Sequence, residues 1–401
     1  MTEATGSPAE SHPKPERPLR GAVIGVGLLG ETHARFLHRG GDGRTELVAV
    51  ADIRQAVTER VASDLSCRAY TDYQAMLTSE DLDLVFVVTP DPLHREPVIA
   101  CAQAGIKHII LQKPMATTVA DAEAMLDAAD EAGSTIYLLY ASRATAMHMA
   151  TRYGLRNGLI GHPVYGDMCI EDNIGVPQIM WGNRSREWAG GSSTAHFLIT
   201  HIVDWLRWFL LPVEVVAVQA LVQRRVLGYT PDLYDAFLHF SSGVKVRVKA
   251  GWINYLERGV ESAIIFNGSQ GQIFYNRSPR FGTAVGWRAN VADEVSQRQL
   301  ERHQEQLRAR GVPSRLFLRE PAREAWNAGI TRGLEIGSDG LPQHEYCDFL
   351  VDAIVEGTTT PASWQEWQGD GVLPTGKDGL AIVRVCNAII EAAERQTTIE
   401  L

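Results

Sequence analysis

The chain has 401 residues, 45% of them hydrophobic and 21% charged, with a formal net charge of −10. This length exceeds one ordinary core, so two domains are the expectation, and the composition is globular. The acidic balance argues against a nucleic-acid partner, because phosphate binding needs a basic face. Apolar runs such as Leu84–Val88 are far too short for a membrane span. Residues 1–19 have no apolar core, which reads as a disordered leader and not a signal peptide. The five cysteines lack C-x-x-C spacing. They point to reduced thiols of a cytoplasmic protein, with no metal site and no disulfide framework.

From Arg20 to about Tyr140 short apolar runs alternate with helical patterns. The runs are Ala22–Ile24, Leu47–Ala51, Leu84–Val88, His108–Leu111 and Thr135–Tyr140. Val57, Val61 and Leu65 form one helical stripe, and Ala122, Met125, Leu126 and Ala129 another. Such alternation implies a doubly wound parallel sheet of the Rossmann type, assigned to residues 20–145. The texture then changes. A helix is expected around Ala195–Leu210, and strands at Val213–Val218, Ala236–Phe240 and Ser262–Phe266. Val244, Val246 and Val248 alternate with Lys245, Arg247 and Lys249, the pattern of a strand with one wet face. Ser241-Ser242-Gly243 makes it a hairpin with the strand before, and Asn267-Gly268 reads as another turn. A polar helix is expected around Val295–Arg310 and a final one over Gly379–Arg395. Residues 146–401 are therefore read as an α+β domain with a large, open, mainly antiparallel sheet. Few helices are available to cover both its faces, which predicts a homo-oligomer.

Gly25-Val26-Gly27-Leu28-Leu29-Gly30 follows the first strand and opens the first helix. Gly25 suits a tight turn, Gly27 a close approach of backbone to a pyrophosphate, and Gly30 close packing of helix on strand. The anion then rests on the free N–H groups of the helix start. The second strand ends at Asp52, which would accept hydrogen bonds from ribose hydroxyls and repel a 2′-phosphate, favouring NAD over NADP. Arg54 stands close enough to soften that preference.

Three further segments carry a resemblance: Thr89-Pro90-Asp91-Pro92-Leu93-His94, then Gln112-Lys113-Pro114, then Gly190-Gly191 leading to His201-Ile202-Val203-Asp204. With the glycine loop, they resemble the glucose–fructose oxidoreductase/inositol dehydrogenase (Gfo/Idh/MocA) family from about Leu19 to the C-terminus. The closing pattern, Asp378-Gly379 through Ile399-Glu400-Leu401, is part of the likeness. The resemblance implies that the loop Thr89–His94 packs beside the cofactor, with Thr89, Pro90, His94 and Gln112 around it. It also implies that Lys113 is catalytic, that His201 accepts a proton, and that the second domain mediates dimers or tetramers. Two departures stand out. The family usually reads Glu-Lys-Pro where this chain has Gln112. Many members also carry an aspartate four residues before the histidine, where this chain has Phe197.

Oxidation of a secondary alcohol needs delivery of a hydride and removal of the hydroxyl proton. Histidine has an ordinary pKa of about 6.5, which suits His201 to the proton, while Lys113 would steady a developing alkoxide. Asp204, one turn on, is the candidate to orient His201 in place of the missing aspartate. Arg143 matches a family arginine near the site and is assigned to substrate binding or to the hinge. Trp181 and Trp188, beside Gly190-Gly191, are candidates to stack on a sugar ring, and His196 is a candidate substrate contact. Trp205 and Trp208 read as core. The sequence thus points to an NAD-dependent dehydrogenase of a sugar, glycoside or cyclic polyol. Two alternatives stay open: a glycosidase that oxidises, eliminates and re-reduces, and a non-catalytic NAD or sugar sensor.

Overall fold

The computed structural model describes residues 13–40, 43–256, 260–277, 286–319, 331–337, 346–358 and 373–401. The first part of the expected leader, 1–12, lies outside them. Residues 13–18 form no regular element, but Arg17 already pairs with Asp83 at 2.6 Å.

Strands β1 (Leu19–Ile24), β2 (Thr45–Ala51), β3 (Arg68–Tyr70), β4 (Leu84–Val87), β5 (His108–Leu111) and β6 (Thr135–Leu138) form a parallel sheet. Its order is β3-β2-β1-β4-β5-β6. The central strands are buried throughout, as the unbroken apolar runs require: Ala22, Val23, Val50, Val85, Val87 and Ile109 are all inaccessible. The order reverses between β1 and β4, and this switch point is where open α/β sheets take ligands.

Among the described residues the second sheet has ten strands: β7 (Pro163–Asn173), β8 (Val215–Gln223), β9 (Leu233–Phe240), β10 (Lys245–Asn254), β11 (Val260–Gly268), β12 (Gly271–Asn276), β13 (Gly286–Val291), β14 (Arg315–Arg319), β15 (Thr331–Ile336) and β16 (Ile399–Glu400). Neighbours are antiparallel except β7 and β10, which run parallel at the centre. Alternation sorts the two faces. Met168, Ile170 and Asp172 of β7 lie on the same face as Val248, Ala250 and Trp252 of β10 and Ser262 and Ile264 of β11. Helices Ala146–Arg156, Thr200–Leu210 and Gly376–Arg395 pack on that inner face. The outer face carries Arg247 paired with Asp167 and Asp235 (3.3 and 2.6 Å).

Several expectations shift in detail. The turn expected at Asn267-Gly268 falls at Ser269-Gln270, because both expected turn residues are still paired in the β11–β12 ladder. The polar helix runs over Gln297–Ala309 behind a Ser296 capping box, and it is only partly solvated. Leu300 and Leu307 are buried, and Tyr153 bonds His303 and Gln306. The last helix starts at Gly376, capped by Thr375 and Asp378. It joins the two halves, because Thr375 bridges to Tyr137 of β6 while the helix packs on β8. Among the described residues the cysteines form no disulfide, and no histidine, cysteine and carboxylate cluster is placed to hold a metal. No described helix is long and apolar enough to cross a membrane.

Candidate functional site

The glycine loop leaves the C-terminal end of β1. Gly25 has φ +88°, and a Cβ there would lie 2.6 Å from the Val88 carbonyl oxygen. At Gly30 a Cβ would collide with the Gly25 carbonyl. At Gly27 a Cβ would meet nothing nearer than Arg54 Nη2 at 3.7 Å. The backbone is thus bare toward open space at the point where helix Leu28–Arg39 begins, with Leu28 and Leu29 exposed. This is the shape a pyrophosphate needs. Asp52 accepts from the Val26 N–H (3.1 Å) and from Arg54 Nε and Nη2 (2.8 Å each). Arg54 lies over the loop, held by the Asp52 carboxylate.

On the other side of the switch point, Thr89 and Pro90 follow β4, and the Thr89 hydroxyl donates to Leu93 O (3.0 Å). His94 is buried, with Nδ1 at 2.9 Å from Pro114 O and Nε2 at 2.8 Å from Thr89 O. It fastens the β4 loop to the peptide that follows Lys113. Gln112 turns its Oε1 onto the Lys113 N–H (2.9 Å).

Lys113 leaves β5 into the seam between the halves and is 7% exposed. Its Nζ donates to Phe197 O (3.1 Å) and stands 3.6 Å from the centre of the Phe197 ring. The phenyl group that replaces the expected carboxylate therefore meets the ammonium through its π face. Ala195–Ile199 forms a π-helical turn in which the Thr200 N–H reaches back to Ala195 O. Such widened turns recur at functional sites, and here one presents both the ring and the carbonyl of Phe197 to the lysine. Burial pulls the Lys113 ammonium down to about 8, opposed by the charges of Asp91 and Asp172.

His201 begins the regular helix after this turn. It is half-buried, its Nδ1 is enclosed without a hydrogen-bond partner, and its ring stands edge-on to Tyr140 at 5.9 Å. Burial first, then the charges of Lys113, His148 and Arg277, hold it well below its ordinary pKa. It is a neutral imidazole at physiological pH. His196 lies on the same turn, buried, with Nδ1 3.1 Å from Ser193 Oγ and Nε2 unpartnered.

Other candidates are placed differently. Asp204 does not reach His201: its carboxylate accepts from Arg143 Nε at 3.1 Å on both oxygens and again from Nη2. The pair is enclosed, with Arg143 1% and Asp204 0% exposed. Neither faces a substrate in this arrangement, and together they pin the segment after β6 to the helix that carries His201. Trp188 packs edge-on against Phe197 (4.8 Å) and beside Trp252 (5.5 Å). It backs the site as part of an aromatic wall.

Two carboxylates were not singled out from sequence. Asp91 accepts from Ser192 Oγ (2.7 Å), and Pro92 lies 3.1 Å from where a Gly191 Cβ would be. The Gly190-Gly191 pair thus lets the second half close on the β4 loop. Asp172, at the end of the undetected strand β7, is buried on the inner face. The sequence signal available for Asp91 was its place beside the cofactor loop; for Asp172 it was nothing local.

A Rossmann sheet with an open glycine cradle, an acidic residue at the second strand end and a buried lysine across the seam is the layout of an NAD-dependent oxidoreductase. The chain belongs to the Gfo/Idh/MocA oxidoreductase family. Residues 19–140 match its model for the oxidoreductase NAD-binding Rossmann fold, and residues 148–274 match its C-terminal domain. The chain is 26% identical to inositol 2-dehydrogenase 3 of Saccharopolyspora erythraea, over 88% of this chain and 97% of the relative. It is 28% identical to 2,7-anhydro-N-acetylneuraminate hydratase of Mediterraneibacter gnavus, over 55% of this chain and 58% of the relative. The WlbA dehydrogenase of Bordetella pertussis, solved with NADH and UDP-GlcNAcA, superimposes with a TM-score of 0.69. That likeness has 21% identity and covers 96% of this chain and 99% of the other.

Proposed function

We propose that the chain transfers a hydride between NAD and a secondary hydroxyl carbon of a sugar, glycoside or cyclic polyol. Residues 20–145 would carry the cofactor and residues 146–401 the substrate. The observation that carries this reading is Lys113, a buried ammonium at the carboxyl edge of the Rossmann sheet with a half-open histidine beside it. NAD supplies the hydride acceptor for oxidation. Gly25, Gly27, Gly30 and the start of helix Leu28–Arg39 cradle its pyrophosphate, and Asp52 takes the ribose hydroxyls. Lys113 Nζ holds the substrate hydroxyl oxygen and stabilises alkoxide character. His201, whose Nδ1 is enclosed, offers its open Nε2 edge to the same hydroxyl. His196 and the aromatic wall of Trp188 and Phe197 bound the substrate space.

A screen of inositols, aldoses and glycosides for NADH formation tests this. A protein that binds NADH and turns over none of them would refute it. The hydratase relative favours a second reading, transient oxidation with return of the hydride, and product formation without net NADH would identify it.

A homo-oligomer fits the outer face of the second sheet. Leu221 and Phe237 (51% and 40% exposed) lie there with half-buried Ile265 and Phe274. Thiols without disulfides and the lack of a described spanning helix fit a cytoplasmic protein.

A further inference from the structure

The inner face of the second sheet ends, at the lysine, in polar groups that the reading above leaves unused. Asp172 on β7 pairs in register with Val260 on β11, and Trp252 of β10 flanks it. Arg277 continues β12 on the same face, its N–H donating to Ser262 O (3.0 Å). Asp172 is 5% exposed. Oδ1 accepts from the Asn173 N–H (3.1 Å), and the Trp252 indole, which packs on Phe197 at 6.0 Å, is the side-chain donor turned to the carboxylate. A carboxylate this enclosed, with so few donors, is poorly solvated as an anion. Asp91, the other carboxylate near Lys113, has its Oδ2 occupied by Ser192.

We infer that Asp172 is the group that takes the hydroxyl proton during oxidation, while Lys113 and His201 hold the hydroxyl oxygen. This rests on the proposed dehydrogenase reading. As the substrate O–H breaks, an O–H forms on Asp172. The C–H electron pair leaves as hydride to NAD⁺, giving NADH and a carbonyl. The charge balance favours this partner. A proton on His201 would add a second cation beside Lys113 in a buried site, whereas a proton on Asp172 removes an ill-solvated anion just as the nicotinamide cation is neutralised. Around Asp172 are the charges of Lys113 from the first half and of Arg277 beyond β12, with the Trp252 indole. Burial outweighs the Asn173 N–H, the Lys113 charge, the Trp252 hydrogen bond and the Arg277 charge and lifts the carboxyl to about 6, within reach of neutral pH.

The test is Asp172→Asn, nearly isosteric, with Asp172→Glu as the conservative companion. NAD reduction is followed with myo-inositol, D-glucose and levoglucosan. An infrared titration of cofactor-free protein follows the carboxyl directly. The difference spectrum of wild type against Asp172→Asn should show one carboxyl titrating at about pH 6, while the enclosed Asp204, which lies in the same range, cancels between the two proteins. The asparagine variant should lose about 10²–10⁴-fold in kcat, with KM little changed and the acidic limb of kcat gone, and Asp172→Glu should recover part of the rate. An asparagine variant with near wild-type kcat and an unmoved acidic limb would overturn the inference and leave the dehydrogenase reading standing. A wild type that binds NADH but reduces NAD with none of the three probes, and whose difference spectrum against Asp172→Asn shows no carboxyl titrating near pH 6, would remove both.

Discussion

Phe197 can be replaced in two ways that push Lys113 in opposite directions. Its ring centre stands 3.6 Å from Nζ in a buried seam. Phe197→Leu keeps an apolar side chain and removes the π face. The loss of a cation–π contact is worth about 0.5–2 kcal/mol, which lowers the ammonium's pKa by roughly 0.4–1.5 units at about 1.4 kcal/mol per unit. Phe197→Asp instead sets a carboxylate against the ammonium. At ~4 Å and an effective dielectric of ~20 their attraction is about 4 kcal/mol, up to roughly 3 units upward, reduced by the cost of burying the new charge. The starting value is about 8. If the protonated lysine is the active form, the alkaline limb of kcat/KM begins there, moves down in Phe197→Leu and moves up in Phe197→Asp. Steady-state rates across pH measure both limbs, and pH-dependent acylation of Lys113 reports the same group without turnover. Limbs that stay put, or that move the same way in both variants, would refute the electrostatic role given to the ring.

Other consequences follow from the same geometry. Asp204→Asn breaks the enclosed pair with Arg143 and should cost about 3–5 kcal/mol of stability, read by urea unfolding; a loss under ~1 kcal/mol would contradict a pinning role. Asp52→Ala releases Arg54 from its carboxylate, so the preference for NAD over NADP should fall by about tenfold or more in fluorescence titrations, an interaction of ~1.4 kcal/mol. His148 is held neutral by burial down to about pH 3. Its folded pKa is depressed, so the stability it contributes is present above about 6.5 and is lost as pH falls toward 3, at up to about 1.4 kcal/mol per unit. His148→Gln should flatten the acid side of the stability curve.

The first sheet was legible because its strands are buried on both faces and read as unbroken apolar runs. Its one undetected strand, β3, is three residues at an edge, and Arg68 and Ala69 are exposed. The second sheet hid its central strand. β7 carries Gly166, Asp167, Glu171 and Asp172, which erases the apolar alternation. Two of those charges are matched only in three dimensions, Asp167 by Arg247 across the ladder and Glu171 by Lys249 and Asn254. The candidate site divides the same way. Gly25–Gly30, Asp52 and Lys113 announce themselves through local pattern, since each sits at a strand end. The partner of Asp204 did not, because helical spacing places His201 one turn away while Arg143 arrives from the segment after β6. Asp172 and Asp91 meet Lys113 from separate halves, and no spacing in the chain records that meeting.

Hydride should pass directly between a substrate carbon and the cofactor under the hold of Lys113. Substrate deuterated at the reacting carbon, incubated with NAD, tests it most directly. Deuterium should appear on the nicotinamide with a primary isotope effect, and Lys113→Ala should suppress that transfer by at least about 10²-fold while still binding NADH. Deuterium lost to water, or transfer undiminished in Lys113→Ala, would contradict the account.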